Sequence, residues 1–144
     1  MTRKRPNLPP SGIFAQDAGQ SPYRGDMIEL GSRTHRLPAP QHVVWESLTN
    51  PHKQGSKPWL RLLSDEVEPE ILRAEEPTRL VWSSLWPSRP HDQVELELTS
   101  VGGETALKFT LLTSDEPPDP SKLGHLRKRL NHLLGADLRF SFGQ

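Results

Sequence analysis

The most constraining feature of this chain is a ribbon followed by a leucine row. Val94, Leu96 and Leu98 alternate with Gln93, Glu95 and Glu97, the two-residue period of a strand with one buried face. Gly102-Gly103 supplies the positive φ that a tight hairpin needs. Leu107, Phe109 and Leu111 then alternate with Lys108 and Thr110. The pattern predicts an antiparallel hairpin with one apolar and one charged face, on which Glu95 or Glu97 can pair with Lys108. Downstream, Leu123, Leu126, Leu130, Leu133 and Leu134 share one stripe at helical spacing. The spacing predicts a helix capped by Ser121 and running to about residue 139. A ribbon and a helix, each with one apolar side, must cover one another, so an α+β fold is expected.

The rest of the chain is punctuated by many of its fifteen prolines. Met27 to Leu37 reads as a first strand, ended by Pro38 and Pro40. Pro40 to Leu48 reads as a short helix with Pro40 in its first turn and Val44, Trp45 and Leu48 on one face. Residues 52–58 read as a loop, and Trp59 to Leu63 is ambiguous between strand and helix. Glu70 to Glu75 and Leu80 to Trp86 read as strands around a turn at Glu76 to Arg79. Residues 1–25 are rich in proline and glycine and poor in bulky apolar side chains. They read as a mobile or loosely docked arm that Ile13, Phe14 and Tyr23 could pin to the domain, which spans 26–144.

The order strand, short helix, antiparallel strands, long terminal helix is that of the helix-grip fold. The run Pro38-Ala39-Pro40-Gln41-His42-Val43-Val44-Trp45-Glu46-Ser47-Leu48-Thr49-Asn50-Pro51 resembles the opening of the SRPBCC (START/Bet v 1-like) superfamily. Glu75-Glu76-Pro77-Thr78-Arg79-Leu80-Val81-Trp82-Ser83 is similar to a strand of its polyketide-cyclase-like and chaperone-ATPase-activator-like branches. The resemblance covers roughly residues 27–142. It implies an antiparallel sheet wrapped around the C-terminal helix, with an apolar ligand between them. Only residues 52–69 stand where such proteins carry a further helix and hairpin, so a reduced sheet of five or six strands is expected.

Composition narrows the function. Eighteen basic and eighteen acidic residues cancel, which gives no overall pull towards nucleic acid or an anionic membrane. The absence of cysteine excludes disulfides, thiol nucleophiles and cysteine-ligated zinc. No secretory h-region or spanning apolar run is visible, so a cytoplasmic protein is expected. His125 and His132 lie seven apart, not at the four-residue spacing of chelating helical pairs, so no metal and no cofactor are expected. Together with Lys128 they read as a solvated basic face, and the acidic run Asp65 to Glu76 could pair with such cations within one molecule or between two.

At about 100° per residue, Asp137 falls inside the leucine stripe, between Leu126 and Leu130, where a carboxylate is costly unless paired. It reads as the polar anchor of a ligand or as a locally paired group. Arg127 and Asn131 read as solvated. Trp45 and Trp82 read as core or cavity wall, Trp59 and Trp86 as neighbours of a mouth. Gly135, in the helix, suggests a close approach of the sheet.

The leading expectation is binding of a small apolar or amphipathic molecule between helix and sheet. Its wall would be Trp45, Trp82, Val94, Leu96, Leu107, Phe109, Leu126, Leu130 and Leu133, with Asp137 as the polar contact. The alternatives are an interaction module with a filled core, with a homodimer left open, and a cyclase- or hydrolase-like enzyme. The superfamily permits the last, but the sequence offers no nucleophile elbow, phosphate loop or zinc motif for it.

Overall fold

The structure, a computed structural model, describes residues 26–55 and 57–143; the N-terminal arm with Ile13, Phe14 and Tyr23 lies outside them. Five strands form one antiparallel sheet: β1 (Ile28–Leu37), β2 (Ile71–Glu75), β3 (Arg79–Ser83), β4 (Asp92–Val101) and β5 (Glu104–Thr113), in the order β1-β5-β4-β3-β2. Helix α1 (Gln41–Thr49) and the long C-terminal helix pack on one face, the inner one. The Gly102-Gly103 turn has φ of 54° and 85°, the positive values that a two-residue hairpin turn requires. It sets the register that opposes Val94 to Leu111, Leu96 to Phe109 and Leu98 to Leu107. All six are at most 3% exposed and belong to one core with Leu126, Leu130, Leu133 and Leu134 of the helix.

The C-terminal helix differs from its expected form at both ends. Its N-cap is Asp119, not Ser121: the Asp119 carboxylate accepts from the Lys122 N–H at 2.9 Å, and Pro120 occupies the first turn. The α-helix proper, α2 (Pro120–His132), passes into a π-helical turn at Leu133–Asp137 and a final short turn, α3 (Leu138–Phe140). The Leu138 N–H donates to the Leu133 carbonyl, five residues back. This extra residue rotates the register, so Leu138 is fully buried while Asp137 moves off the stripe to the helix flank. Reading an unbroken α-helix through residue 137 placed the carboxylate inside the stripe for that reason.

Gly135 lies in the π turn and abuts β1. A Cβ there would stand 2.5 Å from His35 Cε1 and 2.7 Å from its Nδ1. The His35 ring stacks on Phe109 at 6.3 Å, and its Nε2 lies 2.9 Å from Asn131 Oδ1. Asn131 is therefore a helix-to-sheet tie and not a solvated side chain. Three further expectations are corrected. The strand after Arg79 ends at Ser83, because Ser84 Oγ turns back to accept from the Trp86 N–H. Trp59 and Trp86 are 2% and 1% exposed and sit in the core, where Trp59 stacks on Trp82 and donates to the Ser47 carbonyl. Glu95, expected on a charged outer face, is 1% exposed and pairs with Arg79 at 3.0 Å rather than with Lys108.

The register shift gives a direct test. Leu138→Ala is expected to destabilise by about 2–5 kcal/mol in denaturant unfolding, and Asp137→Ala by roughly 0.5 kcal/mol or less. Gly135→Ala is expected to lose about 1–3 kcal/mol by displacing His35, against a helix-propensity gain of roughly 1 kcal/mol. Equal costs at 137 and 138 would contradict the π turn.

Candidate functional site

The ten residues expected to line a ligand site separate into two groups. Trp45, Trp82, Val94, Leu96, Leu107, Phe109, Leu126, Leu130 and Leu133 are brought together as one cluster, each at most 6% exposed. Their side chains contact one another across the helix–sheet seam. Asp137 is apart from them. It lines two adjoining surface clefts on the outer flank of the C-terminal helix.

The first cleft, about 360 Å³, is bounded by Lys57, Pro58, Arg61, Asp137, Phe140 and Ser141. The second, about 630 Å³, is bounded by Arg61, Leu63, His125, Lys128, Arg129, His132 and Asp137. Arg61 and Asp137 belong to both, so the two form one trough between helix and loop. Lys57, Arg61 and Lys128 give it a cationic character, and Asp137 is held 3.4 Å from His132. Its apolar surfaces are Leu63 and Phe140, which are 48% and 68% exposed. Trp82 touches a separate, smaller cleft of about 160 Å³ beside Leu48, Leu60 and Ile71.

A buried ion pair builds the trough's loop wall. Arg129 Nε donates to Glu66 Oε2 at 2.7 Å and Arg129 Nη2 to Glu66 Oε1 at 3.0 Å, a bidentate arrangement. Arg129 Nη2 also donates to the Arg61 carbonyl, and Glu66 Oε1 accepts from the Leu63 N–H at 2.9 Å. These bonds fasten the irregular 59–66 segment to the helix, which is why Trp59 to Leu63 needs neither strand nor helix pairing. The acidic run thus meets the basic helix within the molecule, through Glu66. Arg129 follows Leu126 by three residues and precedes Leu133 by four, so the helical spacing itself placed it beside the stripe. Arg61, Leu63, Phe140 and Glu66 carry no comparable signal, because segment 59–66 has no period and α3 follows the π turn.

No protein-family model and no curated protein matches the chain. Solved structures do. CalU16 from Micromonospora echinospora is 26% identical, with a TM-score of 0.53 over 74% of this chain and 74% of its own. DynU16, a protein of the dynemicin biosynthetic locus, is 22% identical, with a TM-score of 0.53 over 80% of this chain but only 46% of that one. The Aha1 dimer of Colwellia psychrerythraea is 13% identical, with a TM-score of 0.54 over 78% of this chain and 99% of that one. The chain shares the α+β helix-grip fold of these solved structures. Among the described residues five strands make up its sheet, at the low end of the expected range. Among the described residues, no helix is long and apolar enough to cross a membrane.

The Arg129–Glu66 pair generates a prediction. Arg129→Met alone strands a buried carboxylate and is expected to cost about 3–5 kcal/mol by thermal or denaturant unfolding, whereas Arg129→Met with Glu66→Met is expected to recover most of it. Equal losses in the single and double variants would show that the pair does not hold the loop.

Proposed function

We propose that this protein is a binding module whose ligand, a small amphipathic molecule with an anionic head, lies in the trough between the C-terminal helix and segment 57–63. The observation that carries this reading is the separation of Asp137 from the other nine candidates. Those nine are packed against each other, and a ligand among them would have to part contacts each worth about 1.5–3 kcal/mol of side-chain burial. The trough is already open. It offers Leu63, Pro58 and Phe140 to an apolar body, and Lys57, Arg61 and Lys128 to an anion. A guanidinium such as that of Arg61 suits a planar carboxylate or a phosphate. The π turn supports the same reading, since such turns occur frequently at functional sites.

A second reading, an interaction module with a filled core, is favoured by one observation. Leu63, Val67, Ile71 and Leu72 are 38–48% exposed along the chain that leads into β2, an edge strand. Such a strip suits a second copy of the chain, and the Colwellia relative is a dimer.

Titration of the 15N-labelled protein with dodecanoate, kept below its micelle concentration, separates the readings. The expected result is saturable amide shifts confined to residues 57–63 and 125–141, with affinity reduced five-fold or more in Arg61→Ala. Shifts centred on Val94, Leu107 and Phe109 would instead restore a site between helix and sheet. Absence of saturation, with a dimeric mass by light scattering, would favour the interaction module.

A further inference from the structure

The trough is lined by charges of both signs that do not meet one another. Asp137 borders both of its clefts and is the one carboxylate lining them among the described residues. Glu66 lies behind the loop wall, and Arg129 takes up its charge. Three lining cations remain: Lys57 and Arg61 from the loop and Lys128 from the helix. Among the described residues, none of the three stands within 4.0 Å of a carboxylate. Asp137 has one charge partner there, His132, whose Nε2 lies 3.4 Å from Oδ1. That ring is exposed, and an imidazole in its ordinary range is mostly neutral above about pH 7, which leaves the carboxylate uncompensated. Arg61 and Asp137 both border both clefts, so they flank the junction of the trough from opposite walls, with a gap between them. Both walls are fixed. The Arg61 carbonyl accepts from Arg129 Nη2, and Asp137 ends the π turn next to the fully buried Leu138. Groups already held in place lose little freedom when a ligand arrives.

We infer that the head of the ligand is zwitterionic, with a carboxylate that meets Arg61 and an ammonium that meets Asp137, as in an α-amino acid carrying an apolar chain. The inference rests on the trough being the binding site and narrows the class of molecule it takes. A purely anionic head brings a second negative charge up to Asp137. A purely cationic head meets Lys57, Arg61 and Lys128. A head with both charges satisfies both walls at once. The guanidinium fork matches a carboxylate, and an ammonium supplies donors to the Asp137 oxygens. Asp137 then acts by repulsion as well as attraction, turning away simple fatty anions that the cations alone would admit.

Three probes with the same chain length separate the possibilities: decanoate, 2-aminodecanoate and decylammonium. Each is titrated below its micelle concentration, at about pH 7.5 where the imidazoles are mostly neutral, and read by amide shifts of the 15N-labelled protein. The α-ammonium makes 2-aminodecanoate the more hydrophilic of the two carboxylates, so chain burial alone does not favour it. The expected result is saturable shifts at residues 57–63 and 125–141, with 2-aminodecanoate bound about five-fold or more tighter than either other probe, the upper end for one exposed ion pair. In Asp137→Asn the preference over decanoate should fall below about two-fold, and decanoate should bind no more weakly than to the unsubstituted protein. Arg61→Ala should weaken both carboxylates. Equal affinity for decanoate and 2-aminodecanoate, or a preference that persists in Asp137→Asn, would overturn the zwitterionic head and leave an anion-binding trough. Tightest binding of decylammonium would overturn it too. If none of the three saturates, the trough itself is not the site, and the inference falls with it.

Discussion

The contact between the leucine row of the C-terminal helix and the apolar side of the β4–β5 ribbon is the constraint on which everything else rests. Both surfaces are produced by period alone, two residues in the ribbon and 3.6 in the helix. Neither could remain exposed, and the Gly102-Gly103 turn fixes which side chains of the ribbon face the helix. Once they meet, Leu126, Leu130, Leu133, Leu134 and Leu138 are all fully buried against a ribbon whose apolar side chains are at most 3% exposed.

That contact has to be continued through a helix carrying Asp137. A straight α-helix would drive the carboxylate into the seam. The π turn resolves the conflict by inserting one residue, so the stripe resumes at Leu138 and the carboxylate points to the flank. Gly135 is the geometric condition for this, because the turn passes so close to His35 that a side chain there would collide with the ring. On the same flank the Arg129–Glu66 pair holds segment 59–66 at a distance from the helix end. The device that keeps polar groups out of the interior thereby creates the open trough outside it.

The legible part of this molecule was its periodic part. The hairpin, α1, the extent of the C-terminal helix and the helix-grip order all follow from spacing, turn chemistry and the resemblance carried by residues 38–51 and 75–83. The N-cap was misassigned by two residues because Asp119 and Ser121 are both competent caps flanking a proline. What spacing could not show was anything set by a break in period or by a long-range partner. The π turn moved Asp137, Glu66 claimed Arg129, and His35 claimed Asn131 across 96 residues of sequence. Glu95 alternated as a surface residue should, yet it is buried and paired with Arg79.

The central claim is that the seam between helix and ribbon is filled, which is the ground for proposing the trough outside it as the binding site. Xenon occupies dry apolar voids and little else, which makes it a direct probe of that seam. In methyl-resolved NMR under xenon pressure, the account predicts only small, linear, non-saturating shifts for Leu107, Leu126, Leu130 and Leu133. Saturable shifts concentrated on those four methyl groups would reveal an interior cavity and contradict it.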